Sequence, residues 1–456
     1  MLEILNNLFQ TLWAHRPEIL LGFLVLIGFL ATISKVPLSY NIYNLIIRWV
    51  TAGMTAGAFV LVVGLLVVML AFVNGMYRLT QSSGQPGNVI ILADGATDEQ
   101  FSSLAMADIG DIENQPRIRV LNGRPMVSRE TYIVVNQPIE NPPPGRQKRR
   151  FLQVRGIDDP VMSATVHGLE LEAGGDWFSS AGVGVVPGAA PDALPAVQVL
   201  LGAGIARELG RDRWPEAIAK ARNQDRLDVG DTFRLDNREW MVAGVFQSTG
   251  SSYDSEVWAK QSLIGPMFGK ENYSSLVART ANADAAEKLR EYFIKDYTKA
   301  KLAAIVETKY FESLSQTNVQ FLVAIIIVAS FTAIGGVFGV MNTMFAAISQ
   351  RTKDIGVLRL LGYKRWQILV SFLLESLVLA LIGGILGCLL GWLADGYSAT
   401  SVVSSGQGGG KFVVLRLTVD LAVLSSGMLL ALAMGFLGGL IPSLSAMRLT
   451  ALEALR

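Results

Sequence analysis

A chain of 456 residues with one cysteine, Cys388, and two histidines, His15 and His167, has little material for disulfide frameworks or metal centres. Charge is scarce as well, at 17% of residues against 51% hydrophobic, and it is unevenly spread. Val50 to Val73, Val319 to Gln350 and Leu421 to Met447 hold none, and Trp366 to Ala394 is interrupted only by Glu375. The absences extend to catalysis. No nucleophile elbow or metal-ligand cluster is visible, and G-x-x-x-x-G-K-[ST] is missing. The nearest stretch, GQGGGKF at 406 to 412, lacks the first glycine and puts Phe412 where a hydroxyl must bind magnesium. The chain is therefore expected to be no enzyme, to bind no metal or other cofactor, and to hydrolyse no ATP by itself. The GGG stretch reads as a flexible extracytoplasmic loop, and no nucleic-acid partner is expected.

What remains is a membrane pattern. Each uncharged run exceeds the roughly 20 residues that carry a helix across a bilayer core, and Trp366 to Ala394 makes a fourth candidate span. Ile19 to Ser34 is a shorter fifth, read as an extra N-terminal span because no basic n-region precedes it and no A-x-A-type cleavage site follows. Orientation follows from the basic residues in short loops. Arg351, Lys353, Arg359, Lys364 and Arg365 face one acid, Asp354, in the loop before the Trp366 span, which should be cytoplasmic. Lys35 and Arg48 before the first long span agree. The stretch from about Asn74 to Asn318 is then outside, and without cysteine its stability must come from its own core. NVIIL (88 to 92), TYIVV (131 to 135), FLQVRGI (151 to 157), VQVLL (197 to 201) and SSLVART (274 to 280) read as strands. DTFRLDNREWMVAGVF (231 to 246) reads as a hairpin turning at Asp236-Asn237. Helical patterns fall at about Asp98 to Met106, Ile205 to Leu209 and Ala283 to Tyr297, so a mixed α/β domain with prominent antiparallel pairing is expected. NPPPGRQKRR at 141 to 150 reads as a solvated, turn-rich excursion.

Two membrane features stand out. Glycines four apart recur as Gly53 and Gly57, Gly335 and Gly339, Gly383 with Gly387 and Gly391, and Gly435 and Gly439. Such spacing puts small residues on one helix face and lets backbones approach closely, which predicts a tightly packed bundle. Glu375 is the one acid within a long span, and an intramembrane carboxylate of this kind is expected to bond a neighbouring helix or reach toward the interface. Just before it, RTKDIGVLRLLGYKRW forms a short basic amphipathic segment, with Ile355, Leu358 and Leu361 on one face and Arg351, Lys353, Arg359, Lys364 and Arg365 around it. A cytoplasmic partner can grip such an element.

RTKDIGVLRLLGYKRWQI, followed by LLES and GGILG, resembles the hallmark of the FtsX-like/MacB-like permeases of ABC transporters, whose usual form is close to R-x-x-E-I-G-x-L-R-A-L-G. GFLGGLIPSLSAMRLTALEALR resembles their closing pattern, and LSYNIYNLIIRWVTAGMTAGAF their interfacial and first transmembrane helices. VRGIDDP, GGDWF, VLLGAGIARELG and VGDTFRL resemble phrases of the MacB-type periplasmic core domain. Asp354 replaces the usual glutamate, and residues 1–37 have no counterpart in the common four-span arrangement. The resemblance covers about residues 38–456 and implies a membrane α-helical bundle of four core helices, plus the extra N-terminal one, with a large α/β extracytoplasmic domain inserted after the first core helix. The expected divisions are residues 1–37, 38–74, 75–318 and 319–456, with a coupling helix at 351–362. Arg351, Lys353, Asp354, Ile355, Gly356, Leu358, Arg359, Leu361 and Gly362 would seat on a separate ATP-binding subunit that carries ATP and magnesium. A second copy or paralogous permease, a periplasmic adaptor and membrane lipid are the further partners implied, in the bacterial inner membrane. Export or release of lipoproteins, lipids, peptides or amphipathic toxins by mechanotransmission is the implied activity, and control of a cell-wall hydrolase is the alternative.

Overall fold

The computed structural model describes residues 2–33, 43, 46–139, 148–186, 194–314, 316–404 and 410–449. In chain order the helices are α1 (Leu2–Ile33), α2 (Trp49–Ser82), α3 (Met106–Glu113), α4 (Pro160–His167), α5 (Ala203–Gly210), α6 (Pro215–Lys220) and α7 (Gln261–Met267). They continue as α8 (Ala283–Lys295), α9 (Glu307–Leu314), α10 (Gln316–Gln350), α11 (Thr352–Leu360), α12 (Arg365–Trp392) and α13 (Leu421–Arg448). The strands are β1 (Asn88–Ala93), β2 (Val120–Leu121), β3 (Arg124–Pro125), β4 (Val127–Pro138), β5 (Arg149–Ile157), β6 (Val183–Gly184) and β7 (Ala196–Leu201). After them come β8 (Thr232–Leu235), β9 (Arg238–Val245), β10 (Glu256–Lys260), β11 (Ser275–Arg279), β12 (Leu302–Val306), β13 (Ser398–Ser404) and β14 (Gly410–Arg416). The chain divides into two compact units. One holds residues 1–74, 321–397 and 417–456; the other holds residues 75–320 and 398–416.

The first unit is helical. Among the described residues four helices are long and apolar enough to cross a membrane: α2, α10, α12 and α13. In α1 the apolar stretch Pro17–Leu30 is shorter than that. Its Leu20, Phe23, Ile27 and Leu30 recur at helical spacing and pack on Leu373, Leu377 and Leu432 of α12 and α13. The expected interfacial segment from 38 and the chain after Leu449 fall mostly outside the described residues.

Backbone approach in this bundle is set by particular glycines. A Cβ on Gly383 would lie 2.5 Å from the Phe59 Cβ and 2.8 Å from the Ala56 carbonyl, and one on Gly387 would lie 2.8 Å from Val63. Gly391 faces Val67, Gly435 faces Ala380, and Gly439 faces Ser376. Gly53, Gly57, Gly335 and Gly339 differ: a Cβ there would meet nothing within 4 Å. On α10 the close approach to Met434 is made by Gly336 instead. A spacing of four marks a face and does not say which neighbour covers it.

The second unit is built on one mixed sheet in the order β12-β1-β11-β4-β5-β10-β7-β9-β8, with β6 on β7. Pairing is antiparallel except for β5 with β10 and β7 with β9. Asp236 and Asn237 turn the β8–β9 hairpin with φ of 48° and 59°, the left-handed geometry such turns require. Strand alternation then sorts the side chains. Leu152, Val154, Val199, Val257 and Ala259 face a core closed by Ile205, Leu209 and Ile264 from α5 and α7. A second core joins β1, β11 and β12 to α3 and α8 through Ile91, Leu276, Ile112, Leu289 and Phe293.

One expectation gives way here. Asp98 to Met106 is no continuous helix: a three-residue 3₁₀ turn spans Glu99–Phe101, and α3 begins only at Met106. Glu99 is drawn into the interior by buried cations, and the Ser102 hydroxyl accepts from the Ala93 amide, so the chain leaves the helical path. On either side of the GGG stretch the link after α12 is paired. Ser398 to Arg416 pairs as the hairpin β13–β14, with Ser404 opposite Gly410, and belongs to the sheet-containing unit. Residues 405–409, like residues 141–147 of the excursion at 141–150, lie outside the described residues, while Arg149 and Arg150 of that excursion open β5.

Candidate functional site

The basic segment adopts a short helix held between two long ones. α10 ends at Gln350, α11 runs over nine residues, and Gly362 reverses the chain with φ of +90° before α12 starts at Arg365. Only glycine takes that backbone geometry without strain. The Tyr363 amide donates to the Leu358 carbonyl and the Gly362 amide to that of Arg359, closing the end of α11.

Inside the elbow lies one ion pair. Arg351 Nη1 donates to Glu375 Oε2 at 2.9 Å, both side chains being buried, and the guanidinium sits 5.1 Å from the centroid of Phe372. Glu375 also borders a small gap with Arg48, just before α2, with Thr51 and Thr55 of α2, and with Thr343 and Ala347 of α10, and Arg48 donates to the Ala347 carbonyl at 3.3 Å. The intramembrane acid is thus tied to the N-terminus of the short helix, on the strongest kind of hydrogen bond available there.

This pairing changes the reading of the amphipathic face. Arg351 and Ile355 are buried with Gly356, and Leu358 and Arg359 are half-buried. The solvent-facing stripe is Val357, Leu360 and Leu361, exposed by 48%, 65% and 71%, with Lys353, Asp354, Lys364 and Arg365 around it. Arg351 therefore adds no surface charge. The face holding Ile355 points into the bundle because a neutralising carboxylate draws its neighbour Arg351 that way.

Sequence reasoning did not find a second constellation, in the sheet unit. Arg155 on β5 is 1% exposed and bonds Glu256 through Nε and Nη2 at 2.6 and 2.7 Å, Glu99 through Nη1 at 2.8 Å, and Glu130. His167 bridges Glu130 at 2.6 Å and Glu307 at 3.2 Å. Tyr253 and Asn88 donate to the Glu307 carboxylate at 2.8 and 2.9 Å, and the Trp258 indole donates to Glu256 at 3.0 Å. Lys411 of β14, also 1% exposed, pairs with Glu99 at 2.6 Å among the rings of Tyr132, Tyr310 and Phe311.

Four carboxylates thus share three cations. Burial raises the Glu99 carboxyl, yet Arg155 and Lys411 outweigh it and hold the group well below the usual carboxylate range. Burial lowers His167, but Glu130 and then Glu307 reverse that and push it up to about 9, so the imidazole is charged at neutral pH. Ionic groups in this interior are paired and hydrogen-bonded, the condition under which buried charge persists. Among the described residues no group of three or more His, Cys, Asp or Glu side chains could hold a metal ion. The only sequence hint was the isolated charges inside apolar strands, such as Arg155 within FLQVRGI.

Known families match both units. Residues 52–295, more than half of the chain, match the MacB-like periplasmic core domain, and residues 326–451 match the FtsX-like permease C-terminal domain. The chain belongs to the FtsX-like/MacB-like family of ABC transporter permeases, multi-pass membrane proteins with an extracytoplasmic α/β domain. It is similar to the uncharacterized ABC transporter permease YknZ of Bacillus subtilis, 24% identical over 86% of this chain and 92% of that protein. The macrolide export ATP-binding/permease protein MacB of Nitrobacter winogradskyi is 27% identical over 50% of this chain, which spans 35% of the MacB length. The crystal structure of the YknZ extracellular domain aligns with 48% of this chain and 99% of that domain, at 12% identity and a TM-score of 0.30.

Proposed function

We propose that this permease couples ATP hydrolysis by a separate ATP-binding subunit to movement of its extracytoplasmic domain, rather than conducting cargo through the bundle. The exposed stripe Val357, Leu360 and Leu361, ringed by charge and rigidly mounted through Arg351 and Glu375, is the observation that carries this reading. Apolar knobs of this kind fill a groove on a partner, while the surrounding Lys353, Lys364 and Arg365 orient it. A bundle whose α12 is closely packed by small residues favours levers over a polar conduit. Inner-membrane placement, a second permease copy, membrane lipid and a periplasmic adaptor fit the same scheme. Lipoproteins, lipids, peptides or amphipathic toxins are the cargo class it suits.

The test is Leu360→Asp with Leu361→Asp in the full chain, assembled with its ATP-binding partner in nanodiscs. Stimulated ATP hydrolysis should fall by at least about tenfold, the scale of losing roughly 1.4 kcal/mol at a contact, with the far-UV circular dichroism unchanged. Full stimulation in this variant would overturn the proposal.

A further inference from the structure

The hairpin β13–β14 is the link between α12 and α13, two membrane-crossing helices, yet it folds as part of the sheet-containing unit. Its docking there is specific. Val413 and Leu415 are buried, Phe412 stacks on Phe151 of β5 with centroids 4.2 Å apart, and the Val414 amide donates to the Ser255 hydroxyl at 2.8 Å. Lys411 goes deepest: its ammonium lies 2.6 Å from Glu99 and 4.0 Å from Glu256, and those same carboxylates grip Arg155. A lysine that only filled a surface loop would keep its head in water. This one is driven into the core to balance an acidic pit that β4, β10 and the Glu99 turn cannot neutralise with Arg155 alone.

We infer that Lys411 is a positioning residue that fastens the α12–α13 link to the ectodomain sheet, so that displacement of those two helices is handed to the sheet through a buried ion pair. This rests on the coupling reading above. Glu99 and Glu256 form the socket and Lys411 the pin; stacking of Phe412 on Phe151 keeps the pin in line. The two hydrophobic residues would hold the hairpin loosely by themselves, whereas a buried charge allows one seated state, because leaving it half-seated strands both partners.

Nitroxide labels on Val402→Cys and Arg149→Cys, in full chain carrying Cys388→Ser and assembled with its ATP-binding partner in nanodiscs, report the docking directly. The parent should give one narrow distance distribution. Lys411→Met and, separately, Glu99→Gln should broaden it by about twofold or more, since each breaks a buried pair, and should abolish the nucleotide-driven change read by a second pair, Leu421→Cys on α13 with Arg149→Cys on the sheet. The double variant Lys411→Met with Glu99→Gln restores charge balance, so its melting temperature should return toward the parent while the broad distribution and lost response persist. A narrow distribution in either single variant overturns the inference. So does a double variant that regains response and docking together, which would reduce Lys411 to charge balance. If the 421–149 pair in the parent shows no nucleotide-driven change, the coupling reading fails, and the 402–149 label widths at fixed nucleotide still decide the fastening.

Discussion

At the scale of single residues the molecule's charges are of two kinds, those in water and those whose removal strands a partner. Arg351 belongs to the second. Arg351→Met leaves Glu375 buried without its cation, a change that costs on the order of 3 to 5 kcal/mol in buried pairs. The expected outcome is low folded yield by fluorescence-detected size exclusion, with recovery in Arg351→Met combined with Glu375→Leu. Restored folding without restored ATPase stimulation in that double variant would separate the anchoring role from stability. His167 gives a pH signature. Its folded value of about 9 lies above the ordinary 6.5, so its contribution is complete below about pH 6.5 and is lost as pH rises through about 9. The loss is at most on the order of 3 kcal/mol. The Glu99 carboxylate works in the opposite direction, its contribution present above its ordinary 4.5 and lost as the solution becomes more acidic. Unfolding of the full chain in detergent, followed by tryptophan fluorescence to which Trp258 beside the imidazole contributes, should show a falling alkaline limb. His167→Gln should flatten it.

At the scale of elements the glycines separate packing from mere spacing. Gly383→Val would drive a side chain into Phe59 and the Ala56 backbone, and overpacking of this kind costs about 1 to 3 kcal/mol. Gly335→Val meets open space within the chain, so its melting temperature as a monomer in detergent should match the parent. A loss of self-association for Gly335→Val alone would place a second copy on that face. Sequence spacing made these positions visible but could not rank them, since a motif on one helix is silent about its neighbour. The same limit applies to the elbow. Its helix, its terminal Gly362 and its basic character are legible in RTKDIGVLRLLG, whereas the inward turn of Arg351 and Ile355 depends on a carboxylate in the next helix. The β8–β9 hairpin was readable in full because Asp236-Asn237 fixes it locally.

At the scale of the whole molecule, uncharged runs and alternating strands made the long apolar helices and most of the sheet strands legible, but not that residues 398–416 fold with the sheet-containing unit. What stayed hidden is assembled from positions between Glu99 and Lys411, contributed by segments that share no local pattern. The orientation can be checked simply. Cysteine at Arg149 or at Lys353, both exposed, in a Cys388→Ser background should be reached by an impermeant maleimide in intact cells at the first position only; labelling at the second would invert the topology. The link carrying Lys411 also bears on how such permeases can be recombined. A chimaera that grafts residues 398–416 from a relative inherits a debt of one positive charge unless the donor segment brings its own cation to that site. Exchange of modules between family members is thereby restricted to pairs whose acidic sockets and incoming pins have drifted together, and grafts that ignore this match are expected to be cleared by cellular proteases before they reach working levels.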